Sequence, residues 1–405
     1  MQTNKQQLVP ALRFPEFEGE WKRVKLGDFL KESIDKVPAD TGIPVLTSSR
    51  KGLFFQEDYY NNRKIENATE YKLLPFGYMT YRHMSDDSTF KFNINYLVKQ
   101  GAVSKEYPVF TTTEMDIFLL QQCLNYGSTF RKFAMMQKQG GTRTRLYFKK
   151  LTKLKLPLPS LPEQQKIANF LTLIDKKITL LKELSHQLKI FKKGIMQQLF
   201  SQQLRFLEEN GEAFPDWEVK RLGEIFERVK AKNKENNQNI LTISAQLGLI
   251  SQLEFFNKSV SAKNVTGYYL LEKGDFAYNK SYSNGYPFGA IKKLNRYDKG
   301  VVSTLYICFR PKNKQFSYFF EQYFEGSSIE KELYKIAQEG ARNHGLLNVS
   351  VVDFFELIKL PLPTLPEQKK IAHLLSSLDQ EIQLIEAQVQ ARQEHKKGLL
   401  QHMLV

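Results

Sequence analysis

The sequence predicts an α+β protein: two similar mixed α/β lobes separated by two long antiparallel coiled-coil helices, an internal repeat with pseudo-two-fold symmetry. Three observations carry that prediction. Trp21-Lys-Arg-Val-Lys-Leu-Gly-Asp28 returns as Trp217-Glu-Val-Lys-Arg-Leu-Gly-Glu224, displaced by 196 positions. Leu156-Pro-Leu-Pro-Ser-Leu-Pro-Glu-Gln-Gln-Lys-Ile-Ala168 returns as Leu360-Pro-Leu-Pro-Thr-Leu-Pro-Glu-Gln-Lys-Lys-Ile-Ala372, displaced by 204, and Lys192-Lys-Gly194 returns as Lys396-Lys-Gly398 at that same displacement. After each proline-rich segment apolar residues recur every seventh position, the pattern of a coiled-coil seam.

The repeats divide the 405 residues into a first lobe (1–159), a helical segment (160–210), a second lobe (211–363) and a second helical segment (364–405). Such a length exceeds one ordinary core and suits two or three units. In the lobes, Ile43–Thr47, Tyr78–Arg82, Ile240–Ser244 and Val301–Phe309 read as strands, being β-branched and aromatic and bounded by Gly, Asn or Pro. Weaker echoes pair Gly101–Ser104 with Gly300–Ser303 and Gln139–Arg143 with Gln338–Arg342.

Ser160-Leu-Pro-Glu163 and Thr364-Leu-Pro-Glu367 fit capping boxes that would start the two helices. Ile167, Ile174, Leu181, Leu188 and Ile195 form the first stripe, joined by Leu171 and Ile178 and then by Leu184 and Phe191. Ile371, Leu378, Ile385 and Leu399 hold equivalent places in the second, with Leu375, Ile382 and Val389 alongside and Arg392 interrupting. Each helix should run about 38 residues, or about 57 Å.

The hydrophobic fraction of 41% and charged fraction of 25% are ordinary for a chain that folds in water. Residues 1–12 contain no apolar export segment and no stretch approaches the roughly 18 residues needed to cross a bilayer, so a cytoplasmic location is expected. Cys123 and Cys308 are isolated and read as buried small hydrophobes. The six histidines form no His-x-x-x-His pair, and no metal site is expected.

The net charge is +16, of which the lobes carry +9 and +4 and the helical segments only +3 and 0. That division favours lobes that bind a polyanion, nucleic acid above all, and helices that pack. The sequence contains no Gly-x-x-x-x-Gly-Lys-Ser/Thr phosphate loop, no strand-linked Gly-x-Gly-x-x-Gly turn and no Asx-Pro-Pro-aromatic tetrapeptide. Pro215-Asp-Trp-Glu-Val-Lys220 spells a nuclease-like string, but Asp216 and Glu218 are only two residues apart and Trp21-Lys-Arg-Val at the corresponding place in the first copy lacks this acid pattern. A free-standing DNA methyltransferase or nuclease, and a structural coiled-coil scaffold, are the competing readings.

The paired Leu-Pro-Leu-Pro-x-Leu-Pro-Glu-Gln segments, each after a lobe and before a long helix, resemble the specificity subunit of type I restriction-modification systems, and the resemblance covers nearly the whole chain. It implies two DNA target recognition domains, each reading half of a bipartite site, with the helices fixing the unread spacer. Recognition surfaces near one duplex turn, about 34 Å, apart would suit such helices. It implies a noncatalytic chain with no cofactor of its own. The implied partners are double-stranded DNA, two methyltransferase subunits that carry S-adenosylmethionine, and two motor-nuclease restriction subunits that use ATP and magnesium.

Three loops are candidate DNA contacts. Leu46-Thr-Ser-Ser-Arg-Lys-Gly52 aligns with Leu241-Thr-Ile-Ser-Ala-Gln-Leu-Gly248, a retained frame with altered tips. Arg50 and Lys51 in the first copy and Gln246 in the second are base-reading candidates, since Arg and Lys donate to guanine and Gln pairs with adenine, and Ser48, Ser49 and Ser244 join them as DNA-contact candidates. Gly77–His83 aligns with Gly274–Lys280, bringing in Tyr81, Arg82 and His83 against Asn279, Lys280, Tyr282, Ser283 and Asn284. The second set combines amides, a cation and a flat ring; the first departs from it. Gly140-Gly-Thr-Arg-Thr-Arg145 aligns with Gly340-Ala-Arg-Asn-His344, Arg143 matching Arg342; the two arginines suit phosphates, and Thr142, Thr144, Asn343 and His344 suit sequence selection.

Overall fold

The computed structural model describes residues 8–40, 42–61, 70–138, 142–244, 247–256, 265–282, 285–339 and 347–404. It divides into two compact units, Met1–Lys182 with Ala387–Val405, and Glu183–Glu386. Each unit therefore takes one lobe and part of both helical segments, a grouping that cuts across the four consecutive segments.

Both lobes contain the same four-stranded antiparallel sheet. In the first the order is Leu30–Ser33, Val109–Thr112, Met79–Tyr81, Phe92–Ile94; in the second it is Phe226–Arg228, Ile307–Pro311, Phe276–Asn279, Ala290–Lys293. A hairpin accompanies each sheet, Leu46–Ser49 with Gly52–Phe55 and Leu241–Ser244 with Gly248–Ser251. The stretch expected as one strand over 301–309 is two, because a turn closed by the Tyr306 amide on the Ser303 carbonyl at 3.1 Å separates Lys299–Val302 from Ile307–Pro311.

The faint glycine echo has a steric cause. A Cβ on Gly101 would run into Leu46 Cδ1, and one on Gly300 into Leu241 Cδ1. In each lobe, then, a bare backbone admits the first leucine of the hairpin and fixes where its tip emerges.

The two strong sequence repeats meet in space. Lys22–Lys25 pairs antiparallel with Lys155–Leu158, and Glu218–Arg221 pairs in the same register with Lys359–Leu362. This places Trp21 beside Glu163 and Trp217 beside Glu367. The expected capping boxes are not what the glutamates do: Thr364 Oγ1 has no hydrogen-bond partner, and both carboxylates are spent elsewhere. Arg13 Nε and Nη2 donate to the two oxygens of Glu163 at 2.8 Å, and Trp21 Nε1 donates to it at 3.3 Å. Arg205 Nε and Nη2 donate to Glu367 at 3.1 and 2.9 Å, and Trp217 Nε1 at 2.8 Å. The glutamines that follow turn back on the prolines, Gln164 Nε2 donating to the Pro159 carbonyl at 3.0 Å and Gln368 Nε2 to that of Pro363 at 2.8 Å. The repeated motif is a clasp joining strand, helix and lobe through a buried acid forked by arginine.

The long helices span Leu161–Phe200 and Leu365–Met403. Ile167, Leu171, Ile178 and Leu181 are buried, Ile174, Leu188 and Ile195 half-buried; in the second helix Ile371, Leu375, Ile382 and Ile385 are buried, Leu378 and Leu399 half-buried, and Arg392 exposed. Leu184 and Phe191 lie outside the seam, 48% and 54% exposed. The alternating steps of four and three that run through 167, 171, 174, 178 and 181 continue to Ser185, Leu188 and Lys192. Apolarity alone points one residue short at both places, because a serine and a lysine occupy the inward positions.

Cys123 and Cys308 are buried, and burial pushes both thiols up to about 12. No helix among the described residues is long and apolar enough to cross a membrane, and no cluster among them could hold a metal ion.

Candidate nucleic-acid interface

In the first lobe the three candidate loops converge. The hairpin tip Ser48–Lys51, Arg82 and Arg143 line one cleft of about 400 Å³, together with Asp86, Asp87 and Lys91. Five cations face two carboxylates among its described lining residues. Tyr59, Tyr60 and Tyr107 complete the wall.

Two arginines in this cleft are held by neighbouring acids. Arg50 Nη1 donates to Asp87 Oδ2 at 2.8 Å and Nη2 to Oδ1 at 2.6 Å. Asp87 is itself fixed, accepting from Ser85 Oγ at 2.8 Å and from the Thr89 amide at 3.0 Å. The Arg50 guanidinium, aided by that hydroxyl and amide, holds the Asp87 carboxyl far below the usual carboxylate range. Arg143 makes a looser contact, Nε to Asp86 Oδ1 at 2.9 Å.

Several expected contacts are corrected. Tyr81 is fully buried on the central strand, its ring centroid 4.5 Å from that of Phe92 and its hydroxyl donating to the Leu146 carbonyl at 3.0 Å. His83 is also buried, stacked on Tyr147 at 5.3 Å between centroids, and burial lowers its pKa. Thr144 is buried with Oγ1 2.7 Å from Ser88 Oγ. Ser48 is buried and accepts from Asn93 Nδ2 at 2.8 Å. Ser49 closes its own turn, donating to the Gly52 carbonyl and accepting from the Lys51 amide, both at 3.1 Å. The hairpin serines are its scaffold, and the exposed reach belongs to Arg50 and Lys51. Thr142 is exposed beside Arg143.

In the second lobe Ser244 is buried and accepts from the Leu247 amide at 3.1 Å, again a turn role. Asn279 Oδ1 accepts from the Ser281 amide at 3.2 Å, and the Lys280 carbonyl accepts from the Leu347 amide at 2.8 Å. The His83 carbonyl accepts from the Leu146 amide at the same 2.8 Å in the first lobe, so the two loops leave their sheets in equivalent ways. Tyr282 is 64% exposed. Gln246, Ser283, Asn284, Arg342, Asn343 and His344 lie outside the described residues. A cavity of about 910 Å³ in this unit is bordered by Gly248 at the hairpin end and by Gly285 and Tyr286 of the second loop. Lys292, only 5% exposed in its side chain, lines it and is neutralised by Glu325 at 2.7 Å.

The family model described as the type I restriction modification DNA specificity domain matches twice, over residues 18–189 and 215–392. The chain belongs to that family. Its two matches fall one on each lobe with its following helix. A curated relative, the type I restriction enzyme MjaVIII specificity subunit of Methanocaldococcus jannaschii, is 26% identical over 429 residues, covering 97% of this chain and 93% of the relative. The crystal structure of the type I restriction-modification S subunit from M. genitalium aligns over 98% of this chain and 99% of its own with a TM-score of 0.55 at 15% identity, a likeness of fold. As a member of the family the chain is a DNA-recognition component of a type I restriction-modification system and not its catalyst.

Sequence reasoning missed Asp86, Asp87, Lys91 and the three tyrosines. A signal for the acids was present: Ser85-Asp-Asp-Ser88 follows His83 after one residue, Met84, and Asp beside Ser is turn-forming chemistry.

Proposed function

We propose that the first lobe reads one half of an asymmetric bipartite DNA site through the cleft that contains Arg50, Lys51, Arg82 and Arg143, and that the second lobe reads a different half. One observation carries this reading: segments near residues 50, 82 and 143, far apart in sequence, bring their cations to one concave surface. Cations supply phosphate contacts and arginine forks supply guanine contacts. In the second lobe Gln246, Lys280, Tyr282, Asn284 and Arg342 take the corresponding duties, with Asn279 and Lys280 placing the loop. The chain works in the cytoplasm with two methyltransferase subunits that hold S-adenosylmethionine, and it accepts two ATP- and magnesium-dependent motor-nuclease subunits.

The test is to purify the chain with its methyltransferase partners and map the adenines they modify in plasmid and genomic DNA. An interrupted, asymmetric motif is expected. Replacing Ser48–Lys51 by the segment Ile243–Leu247 should change one half of that motif and leave the other intact. A motif altered in both halves, or the absence of any motif, overturns the reading. The chain alone, given magnesium, S-adenosylmethionine and plasmid, should turn nothing over.

A further inference from the structure

We propose that Asp87 is a specificity-determining positioning residue: it grips one edge of the Arg50 guanidinium so that the other edge meets a base, which makes Arg50 a base reader instead of a phosphate anchor. The inference rests on the reading of the cleft as a DNA-contact surface. It is carried by the contrast between the two arginines of that cleft.

An arginine at the tip of a hairpin has many rotamers to lose, and a bidentate contact with guanine O6 and N7 needs one of them. Asp87 supplies the restraint. Both of its oxygens bond Arg50, at 2.8 and 2.6 Å, although the Arg50 side chain is 57% exposed. The carboxylate is not free to follow the arginine, because Ser85 Oγ and the Thr89 amide hold it. Ser85 is buried and lies opposite Thr144 on a two-residue strand pair, so the support runs back to the lobe's framework. Guanidinium has two forks. The Nη1–Nη2 fork is taken by Asp87, while the Nε–Nη2 edge is touched, among the described residues, only by Ser85 Oγ at 3.4 Å.

The same carboxylate changes what Arg50 can bind. A phosphate is attracted by net charge, and the Asp87–Arg50 pair has none; a guanine edge is attracted by aligned N–H groups, which the pair retains. Arg143 is also paired with an acid, but it is held less firmly. Its single bond to Asp86 leaves both Nη groups uncommitted to that acid, and Asp86 is 77% exposed. A loosely tethered cation suits a phosphate, and a rigidly forked one suits a base.

The experiment uses the full chain with its methyltransferase partners and a random-sequence duplex library, from which bound duplexes are sequenced. Asp87→Asn keeps the size of the side chain and removes its charge. Preference at one base position of one half-site should fall about tenfold or more, the range of a single bidentate contact. Affinity for random duplex should hold or rise, with a salt dependence steeper by about one phosphate. Asp87→Glu should restore part of the preference, and Asp87→Ala should add nothing to that position when Arg50 is already alanine. Melting temperatures of the variants separate loss of fold from loss of reading, and the Arg50→Ala background keeps the test decisive if Asp87→Asn folds poorly. A preference unchanged in Asp87→Asn, a loss equal at all sequences, or an effect that persists without Arg50 overturns the inference alone. A wild-type protein that selects no motif removes the underlying reading, and the inference with it.

Discussion

Lys192 Nζ lies 2.6 Å from both carboxylate oxygens of Asp379, and Lys396 Nζ lies 2.7 Å from both oxygens of Asp175. The second pair is the first with its partners exchanged: Lys396 and Asp379 stand 204 positions after Lys192 and Asp175. Each unit thus carries one copy of the same lysine–aspartate pair, with the roles of the two helical segments exchanged. Each lysine side chain is 13% exposed, at an inward seam position, and the aspartate side chains are 36% and 39% exposed. Lys192→Met and Lys396→Met should each cost about 1 to 2 kcal/mol, between the limits for exposed and buried pairs. Lys192→Asp should cost more, and Lys192→Asp with Asp379→Lys should recover most of the loss in denaturant titrations.

The clasp glutamates make a stronger demand. Glu367 is 0% exposed and satisfies an arginine fork and an indole N–H. Glu367→Gln removes the charge that balances Arg205, whose side chain is 21% exposed, and should cost about 3 kcal/mol, the low end for breaking a buried pair. Glu163→Gln should do the same in the other unit. Each unit has its own tryptophan, Trp21 or Trp217, so fluorescence in a background with the other tryptophan changed to Phe reports each loss separately.

The large features of this fold were legible because they are repeated or periodic. The proline-rich motif, the tryptophan segment and the heptads predicted the lobes and helices. The same reading misplaced the seam at Leu184 and Phe191, since a polar residue turned inward by a partner on another helix leaves no apolar signal; Lys192 needs Asp379 to belong there. Glu163 and Glu367 looked like local caps because Arg13 and Arg205, which claim them, lie 150 and 162 residues away. In the site, loop membership was readable from the aligned copies but orientation was not. Tyr81 and Thr144 have the chemistry of readers and point into the core, because alternation along a strand decides the face and the polar tip finds its partner there.

Burial of the thiols gives a prediction in pH. Both cysteines ionise near about 12 because desolvation penalises the thiolate. At pH 8 the native thiolate population is therefore about one in ten thousand, against roughly a quarter for an unperturbed thiol of pKa about 8.5. A disulfide reagent added at pH 8 should leave Cys123 and Cys308 unlabelled in the folded protein and modify both on addition of denaturant. Because each folded-state pKa is raised, the unfolded chain releases protons first as pH climbs past about 8.5, and the folded state should lose stability steadily from there towards pH 12. Rapid labelling of either residue in native conditions would show that its unit opens locally.

Arg143 and Arg50 should separate in their response to salt. Arg143→Ala removes a phosphate contact, so binding should weaken by a similar factor on every duplex and the slope of log K against log salt should become shallower by about 0.9. Arg50→Ala removes a base contact made by an arginine whose charge Asp87 already balances, so the slope should stay nearly constant while the preferred duplex loses about 1 to 3 kcal/mol relative to a single-position variant. Measuring both proteins on the preferred duplex and on one altered in each half, across a salt series, places each arginine in its class. Equal behaviour of the two would mean that the Asp87 fork, for all its rigidity, opens when DNA arrives and releases Arg50 to the backbone.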